Sequence, residues 1–200
     1  MRLVFFTTSS ILLGILLVPN NADALTDLFL EKDEVVAFVG GTDMVRMQKE
    51  GRVEAALTHR YKKAKPRFRD LSWEGDTVYL QTTVSERWRR KAFGDLNGQL
   101  NKVGATVVIA QFGKIESLDG PGRLADFTKA YDKLIDQLSS DGRRVALLAP
   151  PSFEWEQANG DFLKTYSNAV EELAAKRKIP FIRDLMGQTE PPAQLVEAVR

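Results

Sequence analysis

Short, almost continuously apolar runs alternate along the chain with longer segments in which apolar residues recur at helical spacing. Four runs are almost unbroken in apolar residues, and the first two are rich in β-branched ones, which is typical of parallel strands covered on both faces. They are residues 35–39, 105–110, 145–149 and 181–182. Residues 68–73 form a weaker fifth candidate, and residues 124–138 and 162–173 each carry one apolar helix face. The pattern predicts a three-layer α/β/α fold with a five-stranded parallel sheet and right-handed crossovers.

The first 24 residues have the features of a secretory signal peptide. Arg2 provides a positive start, residues 11–18 form a short apolar run, and residues 22–24 (Ala-Asp-Ala) fit a signal-peptidase site. We expect residues 1–24 to be removed and residues 25–200 to form one exported domain, periplasmic or secreted. The alternative is an uncleaved N-terminal anchor, although the apolar run is shorter than the roughly 20 residues of a spanning helix.

The composition removes several classes of chemistry. The chain has 28 Lys and Arg residues against 27 Asp and Glu, a formal net charge of +1, so no nucleic-acid partner is expected. It has no cysteine, which excludes disulfides, thiolate metal sites and a cysteine nucleophile. The only histidine, His59, lies in a basic segment that predicts an exposed helix end. No close-spaced acidic motif specifies a metal ion, and no cofactor is expected.

Ligands of open parallel sheets bind at the carboxyl ends of the strands. Three segments lie at or near these ends: residues 38–42 (Phe-Val-Gly-Gly-Thr), 70–78 (Asp-Leu-Ser-Trp-Glu-Gly-Asp-Thr-Val) and 112–117 (Phe-Gly-Lys-Ile-Glu-Ser). In order, spacing and placement they resemble the sequence blocks of the SGNH/GDSL hydrolases, and the resemblance covers about residues 34–185. It implies a flavodoxin-like sheet of the SGNH-hydrolase type. It also implies ester or acyl hydrolysis as the family's chemistry, with an acylated carbohydrate or another small ester as ligand.

The resemblance assigns roles to individual residues. The family's nucleophilic serine matches Thr42, which follows Gly41, and its oxyanion glycine matches Gly75. Thr42 has two interpretations, a nucleophile activated by an adjoining base or a helix N-cap. The family's oxyanion asparagine falls at Ile115, whose side chain has no hydrogen-bond donor. Loss of one oxyanion donor typically lowers the rate by about a hundred- to a thousandfold.

The catalytic base is the largest departure from the family pattern. Of the family's C-terminal Asp and His, only the Asp is matched, at Asp184, because residues 185–200 contain no histidine. A crowded carboxylate can replace a histidine as base. The candidates at the strand ends are Asp43, Asp76, Glu116 and Asp184. We therefore expect a catalytically degenerate protein that keeps a ligand cleft, and the alternative is an active esterase that uses Thr42 with Asp184 or Glu116.

Aromatic and basic residues supply the remaining candidates. Trp73 and Trp88 are predicted ligand contacts, with core packing as the alternative for Trp73. Residues 87–91 (Arg-Trp-Arg-Arg-Lys) are predicted to border the cleft, and they suggest a third hypothesis, a module that binds an anionic polymer of the cell envelope. A second basic segment, residues 62–69, is expected at the opposite edge of the sheet. For both segments the alternative is a solvated loop.

The least regular stretch, residues 74–95, is predicted to be a loop along one rim of the sheet. Within it, residues 77–80 have a strand-like pattern. No stable membrane span is expected once the signal peptide is removed.

Overall fold

The structure, a computed structural model, describes residues 30–82, 92–153 and 160–183. The predicted signal peptide lies outside these residues. Five strands are present: β1 (Val35–Gly40), β2 (Arg67–Asp70), β3 (Val107–Gln111), β4 (Arg144–Leu148) and β5 (Phe181–Ile182). They pair in parallel in the order β2-β1-β3-β4-β5. The predicted five-stranded parallel sheet is confirmed.

Helices cover both faces of this sheet. They are α1 (Thr42–Glu50), α2 (Arg52–Arg60), α3 (Val78–Thr82), α4 (Leu96–Lys102), α5 (Leu124–Leu138) and α6 (Gly160–Arg177). The first two helices pack Met44, Val53 and Leu57 against one face, while α3 to α6 pack against the other. Within the described residues, no helix is long and apolar enough to cross a lipid bilayer.

Strand β1 shows why the strand sequences are apolar throughout. Successive side chains of a strand point to opposite faces of the sheet. Val36 and Phe38 accordingly join the core under α1 and α2, whereas Ala37 and Val39 join the core under the other helices. Every residue of β1 is buried, because neither face of a central strand meets water.

The structure corrects the interpretation of residues 74–95. Helix α3 begins at Val78, so the prediction of a strand from the pattern of residues 77–80 was wrong. Part of the predicted loop is therefore helical. The Glu116 carboxylate accepts a hydrogen bond from the Val78 N–H at 2.9 Å, and the Thr77 hydroxyl accepts one from the Leu80 N–H at 3.4 Å. These acceptors satisfy N–H groups at the helix start that have no partner within the helix. The rest of the stretch, residues 83–91, lies outside the described part.

Candidate functional site

Two glycines at the end of β1 bring three loops together. A Cβ atom on Gly40 would lie 2.7 Å from the backbone oxygen of Gln111, and one on Gly41 would lie 2.7 Å from the backbone oxygen of Asp76. Real Cβ atoms do not approach oxygen so closely, so only glycine fits these positions without displacing the backbone. The close approach places Thr42 beside the loops that follow β2 and β3.

Thr42 and Gly75, the residues matched to the family's nucleophile and oxyanion glycine, are hydrogen bonded to each other. The Gly75 N–H donates to Thr42 Oγ1 at 3.0 Å, and both residues are exposed. The N-cap position of α1 is Gly41, so the N-cap interpretation of Thr42 was wrong; Thr42 is the first residue of the helix. In the part of the chain that the structure describes, neither a carboxylate nor His59 is hydrogen bonded to Thr42 Oγ1.

The Glu116 carboxylate holds two of the loops in place. It is 3% exposed, and its two oxygens accept hydrogen bonds from the N–H groups of Val78 at 2.9 Å and Gly113 at 2.8 Å. Burial raises the pKa of the Glu116 carboxyl above its ordinary value, because these bonds offset only part of the lost hydration, and the nearby Asp76 carboxylate adds to the rise. With both oxygens engaged by backbone amides, Glu116 acts as a positioning residue for the site.

A half-buried ion pair that sequence reasoning missed crosses the site. Lys114 Nζ lies 2.8 Å from Asp43 Oδ1, and the two side chains are 16% and 22% exposed. The ammonium group also lies 5.3 Å from the centroid of the Phe153 ring, within the range of a cation–π contact. The only sequence feature that pointed to this ion pair was a lysine between Gly113 and Ile115, in the loop that follows β3.

These residues line a shallow cleft at the carboxyl ends of β1 and β3. Its lining includes Thr42, Lys114, Ile115 and Glu116, and its cavity volume of about 20 Å³ admits about one water-sized group. Ile115 is 38% exposed here, so an apolar side chain stands where the resemblance requires an amide donor. Gln111 also lines the cleft; its Nε2 donates to the Ala149 backbone oxygen, while its buried Oε1 has no hydrogen-bond partner.

The structure places the remaining predicted residues as follows. Trp73 is half-buried beside Phe93, with their ring centroids 5.3 Å apart. His59 is exposed in the last turn of α2 and is not part of the cleft lining, which confirms the predicted helix end. Trp88, the basic segment 87–91 and Asp184 lie outside the described residues.

Within residues 30–82, 92–153 and 160–183, no group of three or more Asp, Glu or His side chains is arranged to hold a metal ion.

Solved structures share this fold, although no family model and no curated protein sequence matches the chain. Axe2, an acetylxylan esterase from Geobacillus stearothermophilus, is 15% identical with a TM-score of 0.57 over 77% of each chain. A GDSL-like lipase from Parabacteroides merdae is 14% identical with a TM-score of 0.58, over 78% of this chain and 80% of that one. The acetyl xylan esterase AlAXEase is 16% identical with a TM-score of 0.55, over 74% and 75%.

The chain therefore has the SGNH/GDSL hydrolase fold, as the resemblance of its three segments implied. Its structural neighbours are esterases and lipases of this type.

Proposed function

We propose that the chain is an exported protein that binds a small ester-bearing ligand at the strand-end cleft without hydrolysing it. The observation that carries this proposal is the hydrogen bond from the Gly75 N–H to Thr42 Oγ1. The two groups that the resemblance assigns to oxyanion binding and to nucleophilic attack are engaged with each other. Export rests on the signal-peptide pattern of residues 1–24.

Ester hydrolysis needs several groups that the described residues of this site do not combine. Oxyanion donors must point at the position where negative charge develops. Here the Gly75 N–H points at the Thr42 oxygen, and Ile115 has no donor to add. A hydroxyl nucleophile also needs a base within hydrogen-bond reach. Glu116 is engaged with two backbone amides and His59 is not part of the cleft lining, so neither supplies that base.

The cleft still suits the end group of a larger ligand. Its volume of about 20 Å³ admits one group close to the size of a water molecule, such as the methyl of an acetyl ester, so the rest of the ligand lies outside. The exposed Ile115 side chain offers that group an apolar contact. Two of the structural neighbours are named as acetylxylan esterases. An acetylated sugar is therefore the ligand class that we propose.

A hydrolysis and binding assay on the full chain tests the proposal. Wild type, Thr42→Ala and the control Thr58→Ala, an exposed threonine of α2, are incubated with p-nitrophenyl acetate and acetylated xylo-oligosaccharides. Binding of the same oligosaccharides and of their deacetylated forms is measured by calorimetry. We expect the same background hydrolysis in all three proteins, and binding of the acetylated forms that Ile115→Lys abolishes.

Two results overturn the proposal. Hydrolysis that is lost in Thr42→Ala but kept in Thr58→Ala identifies a threonine-dependent esterase. Equal binding of acetylated and deacetylated oligosaccharides, or binding that Ile115→Lys leaves unchanged, removes the cleft as the site for an ester group. The variant Thr42→Ser adds a further check, because we expect restoring the family's serine not to produce activity while the family's histidine base and asparagine donor are not present in the sequence.

A further inference from the structure

Residues 60–69 carry six exposed cationic side chains and no acidic one. We call this surface the basic patch; its members are Arg60, Lys62, Lys63, Lys65, Arg67 and Arg69. It covers the end of α2, the following turn and strand β2. Because α2 ends and β2 begins there, the patch lies at the amino-terminal ends of the strands, opposite the cleft at their carboxyl ends. Ligands of the cleft and of the patch can therefore bind independently.

The charges of the basic patch have no carboxylate partner within the described residues. Among these residues, no ion pair involves any of the six side chains, whereas eight other cations are paired with carboxylates. Arg67 and Arg69 donate only to backbone oxygens, of Asp33 at 3.2 Å and of Phe68 at 2.7 Å. Of the acidic residues just before β1, Glu34 is already bound to Arg144. Glu31 and Asp33 are exposed and offset only part of the positive charge.

Protection of the sheet edge accounts for only part of the patch. Strand β2 is at the end of the strand order, and charged residues on an edge strand prevent pairing with another chain. This explains Arg67 and Arg69. It does not explain Arg60 or the three lysines, which precede the strand.

The path of the chain favours a membrane surface as the partner. Leu30 lines the same surface depression as Arg60, Tyr61 and Lys62, so the chain enters the fold at the patch. Residues 19–29 separate Leu30 from the apolar run at 11–18, and eleven residues span at most about 40 Å. As long as residues 1–24 stay attached, before cleavage or in the uncleaved alternative, a run that meets a bilayer keeps the patch within this distance of the headgroups.

The side chains of the patch suit that partner. Clustered Lys and Arg are attracted to anionic lipid headgroups, and the attraction weakens as salt is added. The Arg60 guanidinium lies 5.7 Å from the centroid of the half-buried Tyr61 ring, which places an amphipathic aromatic among the cations. We infer that the basic patch binds anionic phospholipid surfaces, with the cleft at the edge of the sheet away from the membrane.

Vesicle co-sedimentation of the full chain tests this inference. The vesicles contain equal parts of phosphatidylglycerol and phosphatidylcholine, or phosphatidylcholine alone. Wild type is compared with the triple variant Lys62→Gln, Lys63→Gln, Lys65→Gln. The matched control is Lys102→Gln, Lys129→Gln, Lys133→Gln, which removes the same charge from exposed, unpaired positions elsewhere. All proteins share residues 1–29, so the contribution of the apolar run cancels.

We expect the patch variant to bind the anionic vesicles at least about tenfold more weakly than wild type, and the control to stay within about twofold. The wild-type affinity should fall as salt is raised, and phosphatidylcholine vesicles should show no difference among the proteins. Equal losses in the two triple variants would show an effect of net charge and overturn the inference. Tighter patch-dependent binding to an acidic polysaccharide or an oligonucleotide than to anionic vesicles would also overturn it, in favour of a polymer.

Discussion

The cleft and the basic patch lie at opposite edges of one sheet and use charge in opposite ways. In the cleft, Lys114 is paired with Asp43, and the Glu116 carboxylate accepts two backbone N–H groups. In the patch, six cations stand in solvent without a carboxylate partner among the described residues. The paired and hydrogen-bonded charges of the cleft stabilise the folded protein. The exposed charges of the patch are available to bind another molecule. The two regions should therefore respond differently to substitution.

The largest expected effect is the loss of the Glu116 carboxylate. In Glu116→Ala the buried N–H groups of Val78 and Gly113 lose this acceptor, and an unsatisfied buried donor costs about 1–3 kcal/mol. We expect the free energy of unfolding, measured in urea, to fall by about 3 kcal/mol. The control Glu50→Ala removes an exposed glutamate and should change it by less than about 0.5 kcal/mol. Similar values for the two variants would contradict a positioning role.

Measuring stability as a function of pH separates the effect of the Glu116 charge from the effect of its side-chain packing. Burial raises the pKa of Glu116 in the folded protein, so the folded state holds this proton more tightly than the unfolded chain. The group's contribution to the free energy of unfolding therefore falls as the pH rises from its ordinary pKa of 4.5 to the higher folded value. Glu116→Gln does not titrate. The stability of wild type relative to this variant should decline across that interval, and a constant difference would contradict the raised pKa.

A smaller effect is expected where the backbones meet beside the cleft. In Gly41→Ala the new Cβ atom would lie 2.7 Å from the Asp76 backbone oxygen, so the loop must move. We expect a loss of about 2 kcal/mol, as for overpacked positions generally. Gly122→Ala is the matched control, because a Cβ atom there has no heavy atom within 4 Å. If both substitutions cost the same in urea unfolding, the close approach is not what requires glycine.

The smallest effect should come from the patch. The triple variant Lys62→Gln, Lys63→Gln, Lys65→Gln removes mutual repulsion and no ion pair, so its stability should equal that of wild type or exceed it by up to about 0.5 kcal/mol. Any gain should disappear at high salt. Thermal unfolding at low and high salt measures both the stability difference from wild type and its dependence on salt. A loss above about 1 kcal/mol would mean that these lysines have partners in the folded protein and that the contrast with the cleft is wrong.

The strands and two of the helices could be predicted because their signals are local. A strand buried on both faces must be apolar at every position, as β1 is. Helix α5 follows the predicted residues 124–138 because its apolar residues repeat along one face. Helix α4 was not predicted. It is seven residues long, and the glycine within it, Gly98, weakens the helical pattern.

The candidate site was predictable only as a set of residue types. The resemblance placed Thr42 and Gly75 at the carboxyl ends of the strands, and in the structure the two residues are in contact. It did not indicate that they would bond to each other. It likewise gave no sign that Lys114 would pair with Asp43, which is 71 positions away along the chain. The roles assigned to Trp88 and Asp184 stay predictions, since both residues lie outside the described part.

The sequence by itself determined the α/β class, the absence of cysteine chemistry and the single histidine, because periodicity and composition are properties of the chain alone. Only the tertiary structure decided which polar groups are engaged. Gly40 and Gly41 let the three strand-end loops approach within contact distance, and that approach brings Glu116 to Val78 and Gly75 to Thr42. The six cations of the patch have no carboxylate partner, because residues 60–69 contain no acidic residue and the fold brings no carboxylate of the described residues into an ion pair with them.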